Sequence, residues 1–240
     1  MADVPTDADE TDEAIDTDHG DEPTGTAERA ERGTPWPDDP DASVPPVGTT
    51  LLVGPANVGK TTRTARALEA WVAAHGASGV VVFDFGPELE RDGRLLGGRL
   101  GRFTDLLSDA EPVNAEGRTT VRRSADGLWY GVLDAHAPRA EGGTATEALR
   151  LARENARGAA RLLDRAPPTP RAVFVNDATI ALQHPTGDPE WLCSYCARAD
   201  VAVVNAFESD ELGTDDRVSR QERDALDALV VGADWIVRLP

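Results

Sequence analysis

The eight residues GPANVGKT at positions 54–61 constrain this chain more than any other stretch. They fit G-x-x-x-x-G-K-[ST] at every fixed position, a pattern whose mechanism is phosphate binding. Residues 50–53 (TTLLV without its first Thr) are apolar or β-prone and read as a strand. Residues 62–75 set Ala65, Leu68, Trp71 and Val72 at helical spacing. A glycine turn between a strand and a helix start gathers backbone N–H groups, and the aligned peptide dipoles add partial positive charge there. Gly54 and Gly59 let the backbone turn and approach an anion without a Cβ in the way. The expected nucleotide-binding set is Gly54, Pro55, Ala56, Asn57, Val58, Gly59, Lys60, Thr61 and Thr62.

Composition singles out one of these. Of the 24 basic residues, 23 are arginine, and Lys60 is the one lysine. A chain that otherwise uses Arg keeps a compact ammonium where a point charge must reach β- and γ-phosphates. Thr61 is expected to place its hydroxyl on Mg²⁺.

Charge divides the chain. Residues 1–42 carry 15 Asp and Glu against two Arg, a charge of −13 out of a total of −19. This stretch has too little apolar content to offset ordering entropy, so residues 1–46 are expected to form a disordered acidic tail and a Pro-rich linker. Abundant acid with almost no lysine is the composition of a halophilic proteome. No apolar run approaches about 18 residues and no leader-like segment opens the chain, so a soluble, cytoplasmic protein without membrane contact is expected.

Residues 47–240 read as one domain. Continuous apolar runs at 80–85, 172–176 and 201–207 are the pattern of buried parallel strands. Residues 119–123 and 128–133 flank SADG as a hairpin, and 234–239 reads as an edge strand. Helices are expected at 144–166, 189–198 and 219–230, with a short one near 102–107. The fold class is therefore α/β, a mostly parallel central sheet flanked by helices in three layers.

In such a sheet ligands lie at the C-terminal ends of the strands. Asp177 follows a run of β-formers there and is either a Mg²⁺ ligand with Thr61 or an N-cap. Asp84, inside a buried strand, needs a partner; it either orients the attacking water or pairs with an arginine. Asn205 either senses the γ-phosphate or bonds local backbone. Arg217, Arg220 and Arg223 read as an arginine finger or a solvated helix face. Cys193 and Cys196 lack the partners of a four-ligand zinc set and read as two small apolar residues on a helix. Trp129 and Tyr130 stack a base or fill a hairpin.

The order of these pieces resembles the RecA/KaiC group of P-loop ATPases over about residues 47–240. GPANVGKT looks like that group's first motif, and VVVFDF like the strand before its catalytic carboxylates. AVFVNDAT is similar to its Mg²⁺-binding strand, while VAVVNAF and GADWIVRL look like its last core strands. The resemblance implies a P-loop NTPase with ATP and Mg²⁺ as cofactors. Lys60 and Asp84 would be its catalytic residues, and Thr61 and Asp177 its metal ligands. Hydrolysis would regulate a protein partner or an assembly, which includes a homo-oligomer. Two departures stand out: Asp84-Phe85 replaces paired Glu, and ESDELGTDD occupies the loop that binds DNA in recombinases, where it would repel phosphates. A guanine-reading N-K-x-D is absent. The alternatives are a phosphotransferase, with Arg91, Arg94, Arg99, Arg102, Arg122 and Arg123 forming a lid, and a nucleotide-binding module without turnover.

Overall fold

The structure, a computed structural model, describes residues 44–240 apart from 92, 93, 97 and 210–214. The expected tail and most of the linker, residues 1–43, lie outside the described residues, as does much of the acidic loop at 208–216.

Among the described residues eight strands form one sheet. In chain order they are β1 (Gly48–Gly54), β2 (Val80–Asp84), β5 (Glu111–Glu116), β6 (Thr119–Arg123), β7 (Trp129–Leu133), β8 (Ala172–Asn176), β9 (Val201–Phe207) and β10 (Trp235–Arg238). Their spatial order is β10-β1-β9-β8-β2-β7-β6-β5. Pairings from β10 to β7 are parallel, whereas β7–β6 and β6–β5 are antiparallel. A separate two-stranded hairpin, β3 (Leu89–Arg91) with β4 (Arg94–Leu96), follows β2. The fold is thus α/β with a mixed, mostly parallel sheet.

Helix α1 (Lys60–His75) packs Ala65, Leu68 and Trp71 on one sheet face, against Leu52, Val80, Val82 and Phe174. Short 3₁₀ turns at Leu100–Arg102 and Asp105–Leu107 cover the same face. Between β7 and β8 come the four-residue α2 (Pro138–Glu141) and the 21-residue α3 (Ala145–Arg165). Together with α4 (Pro189–Cys196) and α5 (Arg217–Gly232), α3 covers the opposite face around Phe83, Trp129, Val173 and Val204. Both faces of the central strands are buried, which is why β2, β8 and β9 are apolar without alternation. Among the described residues no helix is long and apolar enough to cross a membrane.

The stretch around 86–118 departs from expectation. In place of a short helix near 102–107 the chain makes two 3₁₀ turns, the β3–β4 hairpin and the antiparallel edge strand β5. Every residue of β5 is exposed, and Pro112 sits at a register irregularity, so neither apolar alternation nor a ladder-forming N–H marks it as a strand.

Candidate functional site

The parallel strands bring Gly54, Asp84, Asn176 and Asn205 to one edge of the sheet. Gly54 opens the glycine loop and Gly59 closes it in the left-handed region, at φ 91°, a conformation that suits a residue without a Cβ. Asn57, within the loop, is also left-handed at φ 64°, which asparagine tolerates. No side chain caps α1 and its first turn holds no acidic residue, so its leading N–H groups face outward with the positive end of the dipole. Among the described residues the N–H groups of Ala56, Asn57, Val58 and Gly59 donate to nothing.

Lys60 is almost wholly buried. Its ammonium folds back to donate to the carbonyls of Gly54, at 2.8 Å, and of Pro55. Phe207, the ladder partner of Gly54, lies beside it, with its ring centroid 5.9 Å from Lys60 Nζ. The Thr61 hydroxyl donates to Asn176 Oδ1 at 3.1 Å, not to Asp177.

Asn176, which sequence reasoning missed, is the hub of a polar chain that links side chains of β9, β8, β2 and β7. Its Oδ1 accepts from Thr61 and from Asn205 Nδ2 at 2.9 Å. Its Nδ2 donates to Asp84 Oδ1 at 2.8 Å and to the Gly98 carbonyl at 2.9 Å. Asp84 Oδ2 in turn accepts from the Leu100 N–H at 2.7 Å and the Tyr130 hydroxyl at 2.9 Å. Burial drives the Asp84 carboxyl above its usual range, against the three hydrogen bonds and the nearby Arg99 charge that pull it down. The same burial, reinforced by the Asp84 charge and hydrogen bond, raises the Tyr130 phenol. Asp84 therefore faces Tyr130, Leu100 and Asn176, and Arg99 makes its ion pairs with Asp134 at 3.2 Å and Glu88 at 3.5 Å.

Asn205 has each of its side-chain atoms engaged. Nδ2 donates to Thr64 at 2.8 Å and to Asn176, and Oδ1 accepts the Asp177 N–H at 2.9 Å. Asp177 itself is left-handed, at φ 54°, and its side chain does not cap the 3₁₀ turn Ala178–Leu182 that follows. Among the described residues its carboxylate accepts no hydrogen bond. Burial raises its pKa to about 6; the Lys60 charge pulls it down, while Asp84 and Glu222 push it up. Gly86 makes room for the arrangement. A Cβ there would stand 2.8 Å from Asn176 Nδ2, 2.9 Å from the Gly98 carbonyl and 3.0 Å from Asp177 Oδ2.

A hydroxyl and an uncommitted carboxylate are hard oxygen donors. Donors of that chemistry, completed by waters or phosphate oxygens, are the kind that Mg²⁺ takes. Among the described residues no group of three or more His, Cys, Asp or Glu is arranged for a metal.

Other expected positions lie elsewhere. Trp129 and Tyr130 are buried; Trp129 meets the Phe83 ring edge-on at 5.3 Å. Cys196 is in the core and Cys193 packs against it, with thiols raised by burial. Arg122 donates to the Ala110 carbonyl at 3.2 Å, and Arg220 to the Asp215 carbonyl at 2.7 Å. Arg223 lines a cleft of about 270 Å³ between α5 and the end of β9, with Arg139, Phe207, Ser219 and Glu222. Neither Arg139 nor Glu222 carries a sequence signal that marks it; each lies on a helix of ordinary composition.

No protein-family model matches the chain, and a search of curated proteins finds no match.

Proposed function

We propose that the chain is a P-loop NTPase of RecA/KaiC-like architecture that binds ATP with Mg²⁺ and hydrolyses it slowly, its nucleotide state regulating a partner or an assembly. The observation that carries the reading is the glycine loop itself. Uncommitted N–H groups lie between the end of β1 and an uncapped α1, and the chain's one lysine is folded over the loop carbonyls. On binding, Lys60 exchanges the carbonyls of Gly54 and Pro55 for phosphate oxygens, and the loop amides hold the rest of the anion. Thr61 and Asp177 would hold Mg²⁺, which would supply neutralisation of phosphate charge. Thr61 is held in place by Asn176, and Asn176 by Asp84 and Asn205.

One observation favours the module without turnover as a second reading. Asp84 is wholly buried and both its oxygens already accept hydrogen bonds, from Asn176, Leu100 and Tyr130, so it is engaged as a structural acceptor and not exposed toward an attacking water.

Calorimetry in molar KCl tests the site. Lys60→Ala is expected to weaken MgATP binding about tenfold or more, because a charge-assisted contact is lost. Unchanged affinity would sink the assignment. Phosphate release without an acceptor then favours the NTPase; ADP formation only with an added hydroxyl acceptor, whose oxygen takes the phosphoryl group, favours a phosphotransferase; and binding without turnover favours the silent module.

A further inference from the structure

We infer that Arg139 binds the terminal phosphate of the triphosphate and so distinguishes ATP from ADP; the inference rests on the nucleotide reading above. Pro138 starts α2 immediately after β7 and its connecting segment, and Arg139 is the next residue. The guanidinium is fixed at one corner only. Its Nη1 donates to Glu222 and, at 3.3 Å, to the Ser219 hydroxyl. Glu222 is itself buried and immobilised from the other side, where its Oε1 accepts from Gln183 Nε2 at 2.9 Å. Among the described residues Nε and Nη2 of Arg139 make no hydrogen bond, and they are not enclosed; the side chain lines the cleft beside β9.

An arginine carries five N–H donors in a planar fork. Here the fork is oriented by a carboxylate and a hydroxyl while the donors of its other edge remain available. That is a preorganised oxyanion site, with little side-chain entropy left to lose on binding.

The cleft adjoins the glycine loop through Phe207. The Arg139 Cζ lies 5.8 Å from the centroid of that ring, and Lys60 Nζ lies 5.9 Å from the same centroid. Phe207 is also the ladder partner of Gly54, the first residue of the loop. Glu222, the anchor of Arg139, is near enough to Asp177 for its charge to be felt there. Lys60 and Arg139 therefore share Phe207 as a neighbour, and Asp177 feels the charges of both Lys60 and Glu222. A diphosphate is satisfied by the loop amides and Lys60; the additional charge of a triphosphate is what extends toward the open edge of Arg139.

The test is calorimetric titration of the full chain with a non-hydrolysable ATP analogue and with ADP, each with Mg²⁺. Arg139→Ala is expected to weaken the triphosphate analogue about tenfold or more and to leave ADP within about twofold. Equal weakening of both, or of neither, overturns the inference while wild type binds both and Lys60→Ala weakens both. If wild type binds neither nucleotide, the nucleotide reading fails first and takes this inference with it. Arg139→Ala leaves the buried Glu222 without its cation, so thermal unfolding is recorded alongside. Where that variant does not fold, Arg139→Ala with Glu222→Gln removes the orphaned charge, and the same selective loss of triphosphate is expected of it.

Discussion

Asp177 and Asp84 are two carboxyls at neighbouring strand ends whose surroundings treat them differently. Asp84 has three donors directed at it, while Asp177 has none among the described residues and holds its charge against Lys60 alone. For Asp177 the consequence is a pH dependence with a definite sign. Its folded pKa, about 6, lies above the ordinary 3.8, so between those values the folded state binds more protons than the unfolded one. Stability contributed by the neutral carboxyl is full below pH 3.8 and is lost as pH rises through 6. Asp177→Asn removes this titration, and asparagine tolerates the left-handed backbone at φ 54°. In metal-free buffer the variant is expected to match wild type near pH 4 and to exceed it by on the order of 2 kcal/mol at pH 7. Denaturant titrations at several pH values read this directly. A constant difference across the range would mean that Asp177 is as well solvated as in the unfolded chain.

At the scale of elements, the cleft depends on how α5 begins. Asp216 caps it, accepting from the N–H groups of Val218 at 2.8 Å and Ser219 at 2.9 Å and from the Ser219 hydroxyl at 2.6 Å. Partial burial raises the carboxyl, yet these bonds together hold it below its usual range, so the cap's contribution is present above the ordinary pKa and fades as pH falls. Asp216→Ala is expected to cost about 1 kcal/mol, the usual value of an N-cap, measured as a fall in the chemical unfolding midpoint. Because Ser219 and Glu222 stand on the first two turns of α5, a frayed start also loosens Arg139, and triphosphate affinity should fall with stability. Loss of stability with affinity intact would show that Glu222 is held by Gln183 and its core contacts alone.

The same scale shows what was legible beforehand. The central strands and the long helices announce themselves, since continuous apolar runs such as 201–207 have no other soluble home than a sheet covered on both faces. The glycine loop is equally plain as a turn between strand and helix, because glycine suits the positive φ that Gly59 adopts there. Asn176 was hidden because its work is tertiary: only the alignment of β8 between β9 and β2 places it between Thr61 and Asp84. Arg139 was hidden for a related reason, since Glu222 lies 83 residues away in the chain and nothing local forecasts their meeting. Strand β5 escaped because an exposed edge strand containing proline buries nothing that periodicity detects.

For the whole molecule the question is which electrostatic field an approaching nucleotide meets. The chain carries −19, of which residues 1–42 contribute −13, while the site itself offers loop amides, Lys60 and Arg139. At low salt, about 0.01 M, the Debye length is about 30 Å, so the many carboxylates of the chain are felt together at a distance and its net charge outweighs the few local cations during the approach. At about 1 M that length shrinks to about 3 Å, and the distant carboxylates are screened while direct contacts remain. Association of a fluorescent triphosphate analogue should therefore speed up with added KCl, by about threefold or more, opposite to the salt dependence of an attractively steered ligand. Removing residues 1–42 leaves a charge of −6 and should raise the low-salt rate while flattening its rise with salt. Stopped-flow traces on both chains separate the contributions. If the full chain binds more slowly as KCl is added, the positive field of the loop reaches further than the acidic surplus, and the N-terminal charge has no part in nucleotide capture.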